Sequence, residues 1–169
     1  MGDRTVIAQP LTGDAFAPFG EVIGRDGIKP RPMNGDRASR YHALATAEIV
    51  GEGAGVAVSL VDSQPVSLPL ALDLVERHPL GSQAFVPLAP ERFLVVVCPD
   101  VDGRPGPPLA FITAPGQGVN YRAGTWHGVL APLRVPQSFV VVDREGPGIN
   151  LEEVFFDQPW RVEISPGAV

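Results

Sequence analysis

Glu76 and His78 stand two positions apart, and Gln83 follows five residues beyond the histidine. On an extended chain, side chains two apart point to one face, so a carboxylate and an imidazole would share a surface. A second imidazole, His127, ends the run Gly118-Val-Asn-Tyr-Arg-Ala-Gly-Thr-Trp-His. Ala123-Gly124 within that run reads as a tight turn, since glycine accepts a positive φ at little steric cost. The run is expected to form a strand, the turn and a return strand, with His127 at a rim. Two imidazoles and a carboxylate suit proton transfer near neutral pH. Joined by the Gln83 amide, they could instead hold a soft-to-borderline divalent ion. Arg40, Arg77 and Arg122 are candidates to clamp a substrate carboxylate through paired N–H donors. His42, two residues after Arg40, is a further candidate for the site.

The elements that must position these groups read as short strands. Residues 5–8 open the chain as a strand. Residues 11–20 carry a short helix that Thr12 can cap and that Pro18 and Gly20 stop. Residues 24–37 mix glycine, proline and charge without periodicity and read as a mobile loop or lid. Residues 55–61 form a strand, and residues 68–75, apolar but carrying Pro69, read as an edge or irregular strand. The run Phe93-Leu-Val-Val-Val-Cys98 has no alternation and is expected to be buried on both faces. Further strands are expected at 109–113 and 137–143, with terminal strands or arms at 150–156 and 161–164. Arg144, just after Asp143, reads as a strand-end ion pair. With one small helix and no repeat or dividing linker, the pattern is an all-β barrel or jelly roll forming a single domain over residues 1–169.

Composition narrows the partners. The chain has 169 residues, enough for one domain with a real core. Its net charge of −6 argues against nucleic acid. Lys29 is the single lysine, so arginine carries almost all the positive charge. Cys98, the only cysteine, ends an apolar run and reads as a core residue. No apolar run approaches the ~20 residues of a spanning helix, and the N-terminus lacks a basic-then-apolar leader. A soluble, cytoplasmic protein with no membrane partner is the expectation. Glycine and proline number 19 each, as frequent turns between short strands would require.

Small β-barrels whose site is shared by two hairpins are found in the cupins, whose two motifs this chain resembles in part. Glu76, His78 and Gln83 fall at the ligand positions of the first motif, while Leu70 and Pro90 replace its flanking glycines. Gly116, Gly124 and His127 match the second, from which Arg122 and Ala131 depart. Longer words carry the resemblance further: Arg40-Tyr-His-Ala-Leu-Ala, Gln64-Pro-Val-Ser-Leu-Pro-Leu, Glu76-Arg-His-Pro-Leu-Gly-Ser-Gln-Ala-Phe-Val-Pro-Leu, Ala110-Phe-Ile-Thr and Val142-Asp-Arg. In this order they are similar to the ureidoglycolate lyase family. That resemblance implies a cupin-like double-stranded β-helix, or jelly-roll barrel, with a short N-terminal helix. It implies a homodimer that splits (S)-ureidoglycolate into glyoxylate and urea in allantoin catabolism. Under this reading His78, His127 and Glu76 are catalytic, and Arg40, His42, Arg77, Gln83 and Arg122 are candidates for binding substrate. A divalent ion (nickel, zinc or manganese) on Glu76, His78, Gln83 and His127 and a metal-free route both remain open, with no organic cofactor. A barrel that binds a small carboxylate without turning it over is the alternative of another class.

Overall fold

The structure, a computed structural model, describes residues 4–167. Extended stretches fall where β-branched and apolar runs lie between glycine and proline. They begin with β1 (Thr5–Pro10), the one-turn helix α1 (Gly13–Phe16), β2 (Gly20–Ile23), β3 (Arg31–Met33), β4 (Ala38–Arg40) and β5 (Gly55–Ser63). Next come β6 (Leu70–Arg77), β7 (Gln83–Pro87), β8 (Phe93–Cys98), β9 (Asp100–Val101), β10 (Arg104–Pro105) and β11 (Leu109–Ile112). The last are β12 (Gly118–Tyr121), β13 (Trp126–His127), β14 (Ala131–Pro132), β15 (Gln137–Glu145) and β16 (Glu152–Ile164). Thr12 caps α1, accepting a hydrogen bond from the Ala15 amide at 3.2 Å.

A seven-stranded sheet runs β11-β1-β16-β6-β13-β8-β14, and β11 also pairs with β8, so six of its strands close on themselves. A five-stranded sheet, β2-β12-β7-β15-β5, lies against it. Side chains alternate between two apolar clusters. Leu72, Val75, Leu94, Val96, Trp126 and Val162 pack together on one face of the closed sheet. Phe93, Val95, Val97 and Phe111, on its other face, pack with Val119, Tyr121, Phe139 and Val141 of the five-stranded sheet. The run Phe93–Cys98 is buried at every position, as its unbroken apolar character predicts. Each such side chain contributes roughly 1.5–3 kcal/mol on burial. The result is the expected all-β, cupin-like closed barrel with one short helix.

Three sequence expectations change. Residues 118–127 do not form a self-paired hairpin, because β12 belongs to the five-stranded sheet and β13 to the closed one. The Ala123-Gly124 turn, with Gly124 at φ 79, carries the chain from one sheet to the other. Residues 68–75 are not an edge, because Pro69 precedes β6 and leaves that strand free to pair with β16 and β13. Residues 24–37 are not wholly irregular, since they include β3, which pairs with β4 just beyond them as an exposed ribbon.

Candidate active site

Glu76 is opposite His127 in the β6–β13 pairing, and His127 is also opposite Val97 of β8. Those three side chains therefore share the face that looks toward the five-stranded sheet. His78, one residue past β6, turns back to the same place. One ligand atom each from Glu76, His78 and His127 lie within 4.8 Å of one another. The His78 and His127 rings are 5.5 Å apart between centroids. From the facing sheet, Tyr121 stacks on His127 with centroids 4.2 Å apart and planes 6° from parallel.

Hydrogen bonds orient both imidazoles. His78 Nδ1 is 2.7 Å from the Asn150 carbonyl oxygen, and His127 Nδ1 is 3.1 Å from the Gly128 carbonyl oxygen. A carbonyl only accepts, so each Nδ1 carries the hydrogen and each Nε2 keeps its lone pair while the ring is neutral. Both Nε2 atoms are buried and, among the described residues, have no hydrogen-bond partner. Glu76 Oε1 stands 3.7 Å from His78 Nε2. His127 is 2 % exposed, which corrects the expectation of a rim position. The Glu76 side chain, 31 % exposed, is where the cluster opens to solvent.

These surroundings drive the two histidines apart. Burial pulls His127 down to about 4, the nearby His78 charge adds to that, and the Gly128 carbonyl and Glu76 only partly offset it. Burial alone would also lower His78. Contact with Glu76, the Asn150 carbonyl and the charges of Glu76 and Asp143 together outweigh it and leave His78 raised. Its contact with His78 holds Glu76 below the usual carboxylate value against the opposing effect of burial, and both histidine charges assist. One imidazole is thus held neutral and the other favours a proton, the separation expected of an acid and a base sharing a site.

The sequence as a whole has relatives among known proteins. A family model for ureidoglycolate lyase matches residues 3–163. This chain belongs to the ureidoglycolate lyase family. A ureidoglycolate lyase of Chelativorans sp. (strain BNC1) is 56 % identical over 161 residues, covering 95 % of this chain and 98 % of that one. One of Mesorhizobium japonicum is 56 % identical over 159 residues, with 94 % and 98 % covered. Ureidoglycolate lyase 2 of Rhizobium meliloti is 54 % identical over 157 residues, with 93 % and 96 % covered.

Within this member of the ureidoglycolate lyase family, the other candidates are placed unevenly. Gln83 lies opposite Tyr121 and Asp143 in the five-stranded sheet. Its Nε2 donates to Asp143 Oδ2 at 3.2 Å, while its Oε1 is buried and has no partner among the described residues. Gln83 therefore flanks the cluster, with an acceptor to spare. Arg77 does not join it. The alternation that unites Glu76 and His78 turns Arg77 to the other face, where it bonds Glu152 at 2.6 Å and Asp100 at 3.0 Å. Its guanidinium also lies 4.3 Å from the Trp126 ring centroid. Arg122, next to Tyr121, points away as well, 3.6 Å from Glu21 and half-exposed. It borders a surface cavity of about 530 Å³ with Gly20, Glu21 and Asp26, and none of the three clustered residues lines that cavity. Arg40 and His42 lie on exposed chain at the end of the β3–β4 ribbon.

Sequence reasoning gave Asn150 and Glu48 no place in the site. Tyr121 is the wall behind His127. Glu48 accepts from the Ala123 amide at 2.6 Å, and the His78 carbonyl accepts from the Gly124 amide at 2.9 Å. The turn before His127 is thereby tied to His78 itself. No local pattern marks such long-range partners.

Proposed function

We propose that this chain cleaves (S)-ureidoglycolate to glyoxylate and urea, with the Glu76–His78–His127 cluster as its catalytic centre. The observation that carries the reading is a pair of imidazoles, His127 buried and His78 partly buried, each with a buried Nε2 that has no hydrogen-bond partner among the described residues, beside one carboxylate. Family membership supports it. The substrate carries a hydroxyl, a urea nitrogen and a carboxylate on one carbon. Neutral His127 accepts the hydroxyl proton at Nε2, and the O–H electron pair becomes the second bond of the aldehyde. The C–N bond breaks with its electrons on nitrogen, and the His78 imidazolium protonates the departing urea. Glu76 holds the positive charge on His78 until that transfer. The burial that keeps His127 neutral also makes it a weak base, so proton removal is concerted with C–N cleavage. Gln83, through its free Oε1, accepts an N–H of the urea group.

The same Glu76, His78 and His127 donors, two imidazole nitrogens and a carboxylate, also fit a divalent transition ion. Bound there, such an ion would polarise the substrate hydroxyl as a Lewis acid. The test is release of glyoxylate and urea from racemic ureidoglycolate, against an enzyme-free control because the substrate decays unaided, with and without a chelator. Consumption of one enantiomer, well above the control, is expected. A rate equal to the control would refute the reading and favour a barrel that only binds a small carboxylate.

We also propose a homodimer acting in the cytoplasm. Among the described residues no helix is long and apolar enough to cross a membrane. What favours a second copy as partner is edge strand β5, where Val56, Val58 and Leu60 are 54 %, 71 % and 71 % exposed. Those three side chains bear no charge and the row meets a carboxylate only at its end, Asp62, so a two-fold copy could cover it with its own. Light scattering at micromolar concentration should give twice the chain mass, and Val58→Lys with Leu60→Lys should halve it. A wild-type monomer would end the proposal.

A further inference from the structure

Arg144 is 8 % exposed yet, among the described residues, no carboxylate pairs with it. This corrects the expectation of a strand-end ion pair. Its guanidinium instead donates to main-chain carbonyls: Nε to Val50 at 2.7 Å, one terminal nitrogen to Pro147 at 2.6 Å and the other to Gly146 at 3.4 Å. A buried charge is tolerated only when its donors are satisfied, and a five-donor planar fork can join two separate segments. One segment is the chain around residue 50, itself tied to the 80–82 turn by the Val50 amide on the Leu80 carbonyl at 2.9 Å. The other leads to Asn150. The stem passes so close to Gly81 that a Cβ there would meet Arg144 Cβ at 2.6 Å, so only glycine leaves room for it.

Asn150 completes the link. Its side-chain oxygen accepts from the Leu80 amide at 2.8 Å, and its carbonyl accepts from His78 Nδ1 at 2.7 Å. We infer that Arg144 and Asn150 are positioning residues that, by holding the 146–150 loop, fix the ring and tautomer of His78 and aim its Nε2 at the reaction. The inference rests on the proposed role of His78. It holds whether that nitrogen moves a proton or binds an ion, because either task needs Nε2 as the reactive atom. Partners of this kind typically affect activity by about 10–100-fold when removed.

Two variants test it. In Arg144→Lys the charge stays, but one ammonium cannot reach both the Val50 and Pro147 carbonyls. Asn150→Ala releases the loop from Leu80 and leaves Arg144 untouched, which keeps the test open if the lysine variant folds poorly. Nitrogen NMR of ¹⁵N-histidine-labelled protein, at a pH where His78 is neutral, should show His78 protonated at Nδ1 in the wild type. In both variants it should show a mixture of tautomers, and kcat per folded molecule should fall roughly 10-fold or more with KM within about two-fold. Unchanged His78 nitrogens would overturn the inference, whatever happens to kcat. A tautomer shift with kcat intact would uphold the latch and count against His78 in the chemistry, so the two failures are distinguishable.

Discussion

Replacing His127 with alanine is expected to lower kcat/KM by at least ~100-fold, the lower end of what a positioned acid or base contributes. The substitution removes the buried Nε2 that faces Glu76 and His78. It also removes the ring stacked on Tyr121, leaving a small cavity and a loss of about 1–3 kcal/mol of stability. Turnover must therefore be expressed per folded molecule. His127→Gln separates the two effects by retaining bulk and polarity without a titrating nitrogen. It should restore most of the thermal midpoint and none of the rate. Near-wild-type turnover in folded His127→Gln would remove His127 from the mechanism.

The residues that can be read in the sequence are those whose relation is local. Glu76 and His78 were expected on one face from spacing alone, and the same alternation places Arg77 opposite. Naming Arg77 as a substrate clamp weighed its charge and overlooked its parity. The apolar run Phe93–Cys98 announced a strand buried on both sides because composition alone settles that. Other relations depend on which strands pair. Asn150 meets His78 across 72 positions, Glu48 meets Ala123 across 75, and β12 and β13 adjoin in sequence but join different sheets. Sheet order and register decide such contacts, and neither is a local property of the chain. His127 was misjudged as a rim residue for the same reason. The turn before it was legible, but the sheet that Tyr121 brings over it was not.

Glu76→Gln is expected to have an effect of comparable size, again at least ~100-fold on kcat/KM, with a second signature in the pH profile. Glu76 is held below the ordinary carboxylate value first by contact with His78. In return its contact and charge help raise His78 against burial. A neutral amide withdraws both, so His78 should lose its proton more readily. The alkaline limb of the rate profile, where the imidazolium is lost, should then move to lower pH. Stability follows the same linkage. The lowered Glu76 contributes above its ordinary range and loses this as pH falls through the folded value. The raised His78 contributes below 6.5, its ordinary value, and loses this as pH rises through its higher folded value. Between those limits the wild type should gain from the pair, and Glu76→Gln should not. If kcat/KM falls while the alkaline limb stays in place, Glu76 itself takes the hydroxyl proton, and His127 becomes its neutral neighbour. If neither the rate nor the limb changes, Glu76 has no part in the reaction.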